Sequence, residues 1–392
     1  MARVAMLVSN AHAPDPRVEK EADALAAAGH DVTVYAFDRH REQRRLEQAG
    51  PVRVERVSPP GALPGNMIAV RLGLAYFHAA VRRRLLRSPA DVVHCHDHDT
   101  CAVGLWWKHR GARRAGLGRG RFVFDVHDLY WTWALVARPE ARWRRALAAA
   151  LRRSDRRFAR AADLVITTTE AEVGRRPGAA ELYREWGCDP VTIWNAPPAP
   201  GVVPPLPTRF TVGYIGNVRE PAMFGHLVAA IELLPRDERP ALRIAGMGRA
   251  ADEVSRILGD ASRRLGIQVK LSGAFHRAEI PDLLADVSVQ YCVYPTRRGN
   301  IDRAMPVKLF ESVVHGRRVI GNADTLMGEW IREREWGWEV ADGNVRALAD
   351  AIRAAAAACA ADDGRPAALR LPPLWPEQAR RLAEAYEALL AA

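Results

Sequence analysis

Apolar positions along this chain follow two alternating rhythms. Short continuous runs such as Val4 to Val8 predict buried strands, while stretches such as Val18 to Ala28, apolar every third or fourth residue, predict amphipathic helices. The run Val4 to Val8, the helix Val18 to Ala28, the stop at Gly29 and the strand Val32 to Ala36 make one βαβ unit. Further strands are expected at Val52 to Val57, Val92 to Cys95, Phe122 to Val126, Leu164 to Thr167 and Val191 to Trp194, with a helix over Ile68 to Leu86. Alternation of this kind builds parallel sheets with crossover helices.

The rhythm stops at Asn195. Residues 196–208 hold too many prolines for strand or helix, and they predict a linker. Beyond it the pattern restarts, with strands at Thr211 to Ile215, Leu242 to Ala245, Val269 to Ser272 and Val287 to Tyr291, and a helix near Phe224 to Leu234. Pro306 is expected in the first turn of a helix that ends at Gly316, followed by a strand at Val319 and Ile320, the segment Trp338 to Val340 and a helix over Val345 to Ala360. The expected domains are therefore 1–195 and 209–374, each a nucleotide-binding-type α/β fold, with a separate amphipathic helix from Trp375 to Leu390. A chain of 392 residues also exceeds what one core usually holds.

Composition narrows the setting. There is no long apolar run, and the chain enters its first strand without a leader pattern, so a cytoplasmic location is expected. Five scattered cysteines form no C-x-x-C pair, which predicts neither a disulfide framework nor a zinc site. The net charge of +11 concentrates in the first half, at Arg82-Arg83-Arg84, Arg110 to Arg121 and Arg142 to Arg160. In the last of these, Trp143, Leu147, Leu151 and Phe158 are spaced along an amphipathic helix. Three readings fit such a helix: a solvated face, peripheral contact with an anionic membrane, or nucleic acid. No nucleic-acid motif accompanies it, so nucleic acid is not expected as a partner.

Several groups carry candidate chemistry. Lys308 and Glu311 stand one turn apart on a helix, where a cation and a carboxylate can hold a phosphate and a sugar hydroxyl, or can form an ordinary surface ion pair. Arg17 either meets an anion at its helix start or pairs with Glu21 four residues on. His94, His96 and His98 share one face of an extended strand and are able to converge on a metal, yet the strand's end is also where open α/β sheets bind ligands, and no metal site is expected. His96 and Asp97 are candidates for that ligand-binding end, while His94 reads as packed. His127 ends another apolar strand and can orient a hydroxyl without acting as a base; Asp128 after it can instead cap a helix. Trp131 and Trp133 read as an aromatic wall or as core. The loop from Ser9 to Pro16 has no glycine, which disfavours the dinucleotide cradle of a dehydrogenase.

The segments Pro306-x-Lys308-x-x-Glu311 and Gly316-x-x-Val319-Ile320 resemble the signature of retaining glycosyltransferases of family 4. Asp15-Pro-Arg17 with Glu21 and Leu25, the Asp91-x-x-His94-x-His96 segment and Phe124-Asp-Val-His127-Asp128 are similar to the same family, so the resemblance covers nearly the whole chain. It implies the GT-B architecture: two Rossmann-like domains facing across a cleft, with the C-terminal helix crossing back to the N-terminal domain. It also implies that His127 and Glu311 are the catalytic residues, with His127 hydrogen-bonding the donor sugar and Glu311 binding the ribose. Gly216, Asn217 and Arg219 would approach the diphosphate together with Lys308, while Phe275 and His276 would bracket the nucleobase. Asp15, Arg17, His96, Asp97 and Asp128 would line the acceptor side or cleft. Two positions depart from the family pattern: Arg303 stands where a second glutamate is common, and Phe224 where a cation follows Arg219.

The reaction so implied is transfer of a sugar from a nucleotide diphosphate sugar to an acceptor hydroxyl, with retention, no cofactor and no obligate metal. Cation and amide stabilisation of the leaving diphosphate would serve in place of a metal. A sugar-nucleotide epimerase of the same architecture, or a non-catalytic member that binds nucleotide sugars, are the alternatives.

Overall fold

The computed structural model describes residues 1–61, 67–135, 140–172, 174–296 and 299–392. Two compact units emerge. The first comprises Met1–Glu170, Ala179–Trp194 and Pro376–Ala392; the second comprises Ala171–Gly178 and Asn195–Trp375.

The apolar runs of the first unit become strands β1 (Arg3–Val8), β2 (Asp31–Phe37), β4 (Val52–Val57), β5 (Val92–His96), β6 (Arg121–Val126), β7 (Leu164–Thr167) and β8 (Pro190–Thr192). An additional strand, β3 (Leu46–Ala49), runs antiparallel to β4 at the sheet edge. Sequence periodicity missed it because all four of its residues are exposed, so no buried face marks it. The sheet order is β3-β4-β2-β1-β5-β6-β7-β8, with every pair but β3 and β4 parallel. Chain direction across the sheet therefore reverses between β1 and β5. At such a switch point the loops after neighbouring strands diverge and leave room for a ligand. Buried Val, Leu and Phe side chains from β1, β5 and β6 fill the core beneath it.

The second unit has strands β9 (Thr211–Ile215), β10 (Ala241–Ala245), β11 (Val269–Ser272), β12 (Val289–Cys292), β13 (Arg318–Asn322) and β14 (Gly337–Val340). Their order is β11-β10-β9-β12-β13-β14, all parallel, with the switch between β9 and β12. The proline-rich stretch belongs to this unit: the buried Arg317 guanidinium donates to the carbonyls of Pro204 and Pro205 at 2.9 and 2.7 Å. The C-terminal helix Trp375–Ala391 contributes to the first unit, where Gln378 Oε1 accepts from the Trp194 amide at 2.9 Å.

Two glycine turns follow β9 and β10 and lock together. Gly246 has φ +141, and a Cβ there would lie 1.9 Å from the Gly216 carbonyl oxygen. Gly246→Ala is expected to weaken the second unit by about 1–3 kcal/mol from backbone strain alone, before any clash is relieved. A lower melting transition for that unit checks this; an unchanged one contradicts it.

Candidate active site

Both candidate clusters lie at the carboxyl ends of central strands, one in each unit.

In the first unit, period-two alternation puts His94 and His96 of β5 on one sheet face, and register places Asp125 of β6 beside His96. The first helix, Pro16–Ala27, packs over that face and supplies Arg17 and Glu21. All five are buried. Arg17 Nη2 lies 2.8 Å from Glu21 and 3.1 Å from Asp125, and Nη1 donates to the Ile193 carbonyl at 2.9 Å. Arg17 thus pairs with internal carboxylates and the backbone, so the sequence reading of Arg17 as a group for an external anion is corrected. The pairing with Glu21 stands. Asp15, expected on the acceptor side, caps this helix, accepting from the Val18 amide at 3.4 Å and from Asn10 Nδ2 at 2.7 Å.

Convergence of three imidazoles does not occur. His94 and His96 stack with ring centroids 4.3 Å apart, while His98 turns away to Asp155 at 2.5 Å and stacks on Tyr130. Glu21, His94, His96 and Asp125 do bring donor atoms within 4.8 Å of one another. The Arg17 guanidinium already supplies the positive charge that a cation would bring to these carboxylates, so the set fits a metal poorly.

Charge in this cluster is unevenly assigned. Burial would raise the Asp125 carboxyl, but Arg17 and then His127 outweigh it and hold it well below the usual range. Burial pushes Glu21 well above its ordinary value, further than Arg17 can bring it back. Burial likewise lowers His94, and lowers His96 strongly with His94 beside it.

His127 follows β6 directly. Its Nε2 lies 3.2 Å from Asp125 Oδ2 and 3.0 Å from His96 Nδ1, while Nδ1 lies 3.8 Å from Asp97 Oδ2. Asp97, at φ +62, accepts from the backbone amides of His127 and Asp128 at 3.0 and 3.3 Å, which ties the ends of β5 and β6 together. Burial would lower His127, yet Asp125 and Asp97 outweigh it and hold the imidazole up to about 10. Burial also pushes Asp97 up to about 7 against the attraction of His127. Past Asp128 the chain forms a short 3-10 helix, Tyr130–Leu135; Trp131 packs against the core near Trp186, and Trp133 is 39% exposed.

In the second unit, Lys308 belongs to the helix Val307–Val314. Pro306 is its extended N-cap, one position before the expected first turn, and Gly316 with φ +65 follows the helix end. The Lys308 ammonium sits 3.7 Å from the centroid of the Tyr214 ring and 5.5 Å from that of Tyr294. Gly216, at φ +142, gives it room, since a Cβ there would lie 2.7 Å from Nζ. Asn322, buried on β13, fixes Tyr294 through both backbone groups, at 2.7 and 2.8 Å. Glu311 lies one turn beyond Lys308 on the same helix, half-buried.

Other expectations in this unit need revision. Gly216 and Val218 donate their amides to Ala245 and Met247 at 2.9 and 3.0 Å, so those two amides serve the paired turns and not a phosphate. Asn217 and Arg219 are exposed beside them. Phe224 is buried and packs edge-on against Tyr214, so its position faces the core, where a cation would be costly. The His276 amide donates to Glu279 Oε2 at 2.6 Å in a capping box, which takes it from nucleobase recognition; Phe275 packs half-buried beside it. Arg303 Nη1 donates to the Gly178 carbonyl at 2.8 Å and anchors the segment Ala171–Gly178 within the same unit.

Sequence reading did not single out Asp125, Tyr214, Tyr294 or Tyr386. A signal existed for Asp125, which shares a strand face with His127 by the period-two rule. None existed for Tyr386, whose hydroxyl lies 2.7 Å from His94 Nδ1 across 292 positions of sequence.

Two doubly wound α/β units, each with polar side chains gathered at its switch point, define the GT-B class of fold. Residues 13–193 match the glycosyl transferase 4-like domain and residues 209–357 match the glycosyl transferases group 1 domain. The chain is a glycosyltransferase of the family built from that domain pair.

Solved structures agree on the fold. Sucrose-phosphate synthase from Thermosynechococcus elongatus superimposes with a TM-score of 0.72 at 17% identity, covering 100% of this chain and 97% of that one. HepE from Anabaena, solved in complex with UDP-glucose, gives 0.62 at 15% identity over 99% and 100%. WaaG, a glycosyltransferase involved in lipopolysaccharide biosynthesis, gives 0.62 at 16% identity over 98% of each chain. No curated relative matches the sequence significantly.

Proposed function

We propose that this enzyme transfers a sugar, with retention of configuration, from a nucleotide diphosphate sugar to an acceptor hydroxyl. The observation that carries the reading is Lys308, an ammonium held over Tyr214 beside Gly216 at the switch point of the second sheet, with Glu311 one turn on. A cation so placed suits a diphosphate leaving group, and a carboxylate at that spacing suits the ribose hydroxyls. Arg219, exposed on the adjacent turn, adds a second cation. In the first unit His127 is a hydrogen-bond donor for a sugar hydroxyl. HepE, solved with UDP-glucose, and a trehalose-6-phosphate enzyme from E. coli, solved with UDP-2-fluoro glucose, lend support to a nucleotide-sugar donor.

Leaving-group stabilisation by Lys308 and Arg219 needs no metal, so turnover is proposed to survive chelation. Retention rests on the family resemblance. Among the described residues of either cluster no unpaired carboxylate is placed as a covalent nucleophile, since Asp125 and Asp97 are both engaged internally, which favours front-face displacement over a covalent glycosyl-enzyme. A thermal-shift panel tests donor binding. Nucleotides and nucleotide sugars that bind only the native state raise its melting temperature, and the rank order names base and sugar. No shift with any of them contradicts the reading.

A membrane contact is proposed for the first unit. The helix Arg142–Ala161 exposes Arg142, Arg145, Arg152, Arg153, Arg156 and Arg157, and its one acid, Asp155, is buried against His98. Leu147, Leu151 and Phe158 are half-buried and turn toward the domain, while Trp143 is 60% exposed. The attraction is therefore electrostatic, about 1 kcal/mol per arginine at an anionic surface. Among the described residues no helix is long and apolar enough to cross a membrane. Flotation with anionic vesicles should recruit the protein at low salt and release it at high salt, and Arg153→Glu with Arg157→Glu should abolish recruitment. Binding that ignores salt and lipid charge would sink the proposal.

A further inference from the structure

His127 is the only side chain of its cluster with both ring nitrogens near a carboxylate oxygen of a different aspartate: Asp125 at Nε2, 3.2 Å, and Asp97 at Nδ1, 3.8 Å. The two carboxylates differ in what they can reach. Asp125 is fully buried and tied to Arg17, so it cannot touch a substrate; the Asp97 side chain is 31% exposed. His96 Nδ1 lies 3.0 Å from the same His127 nitrogen and 3.2 Å from Asp125 Oδ2, so these two buried side chains meet the His127 ring together at Nε2. Nδ1 then faces the partly exposed side of the ring.

We infer that Asp125 is a positioning residue, which fixes the His127 ring through Nε2–H and turns Nδ1–H outward as a donor to a hydroxyl of the transferred sugar. This deepens the function proposed above and rests on it for the identity of the hydroxyl, but not for the state of the ring. Arg17 contributes by holding Asp125 in place and favouring its ionised form. A carboxylate on one ring nitrogen favours the imidazolium, which donates from both nitrogens at once and cannot accept a proton. His127 is thereby committed to donating, not to serving as a base.

The groups facing the ring are few. Asp125 and His96 meet it from the sheet and Asp97 from the end of β5, Arg17 and Glu21 lie above Asp125 on the first helix, and His94 with Tyr386 stands behind. Asp125 and Arg17 form the charged pair, and Asp97, pushed up to about 7, is only partly ionised near neutrality.

Histidine-labelled full-length protein tests the inference by nuclear magnetic resonance, with His127 identified by the signal lost in His127→Gln. In the native protein the His127 resonances should keep the imidazolium pattern to above pH 8. A midpoint below pH 7 overturns the inference, and this arm needs no variant to fold. In Asp125→Asn the midpoint should fall by more than one pH unit; an unmoved midpoint overturns the positioning role. With donor and acceptor, Asp125→Asn should raise the donor KM about tenfold, and adding His127→Gln should cost little more, since the two act through one contact. Additive losses would contradict it. Absence of turnover in the native protein would count against the proposed function and leave the resonance result standing.

Discussion

Lys308→Ala should lower turnover by about 100- to 1000-fold, the loss expected when one preorganised donor to a developing negative charge is removed. The effect on folding should be small by comparison. Nζ makes a cation–π contact with Tyr214 worth about 0.5–2 kcal/mol, and Leu309, Phe310, Val313 and Val314 keep the helix Val307–Val314 in the core without it. Lys308→Arg should rescue poorly. A guanidinium is planar and broader than an ammonium, and the space beside Nζ is bounded by Gly216 and the Tyr214 ring. Steady-state kinetics with the preferred donor, beside a melting curve, separates these outcomes. Loss of activity that tracks loss of folding would deny Lys308 its chemical role.

Arg17→Ala should have the largest effect on stability. It leaves the ionised Asp125 buried with only His127 to balance it, and strips the Ile193 carbonyl of its donor. Breaking a buried pair by removing one partner costs about 3–5 kcal/mol. The measurement is the unfolding midpoint of the first unit, with exposed Arg142→Ala as the control, since a surface arginine contributes little. A loss no greater than the control would show that the cluster is not held by Arg17.

The cluster also sets a pH dependence. Asp125 is depressed in the folded state, so its stabilisation is present above the ordinary aspartate range and is lost as pH falls through its folded value. His127 is raised from 6.5 to about 10, so its share is complete below 6.5 and declines as pH rises toward 10. Stability of the first unit should therefore fall on both sides of neutrality.

Much of this fold was legible as periodicity. Strands buried on both faces read as continuous apolar runs, whereas the switch points rest on the sheet order, which strand order along the chain does not fix. The edge strand β3 was illegible because exposed residues leave no apolar pattern. Site chemistry was legible where it is local: Lys308 and Glu311 lie one turn apart, and His96 with His127 marks two strand ends. What the sequence hid is competition for the same groups. Nothing in the glycine turn reveals that Gly216 and Val218 spend their amides on a second turn after β10, or that the His276 amide goes to Glu279. Arg17 appeared equally suited to a ligand and to Glu21. Only the arrival of Asp125 from a strand 108 residues away decides that it serves the interior.

Turnover tests the central claim most directly. The purified enzyme, given a pool of nucleotide sugars and candidate acceptor alcohols, should release a nucleoside diphosphate only when an acceptor is present, and proton resonance of the product should show the anomeric configuration of the donor. A product with the opposite anomer, or a nucleotide sugar converted without any acceptor, would contradict the account.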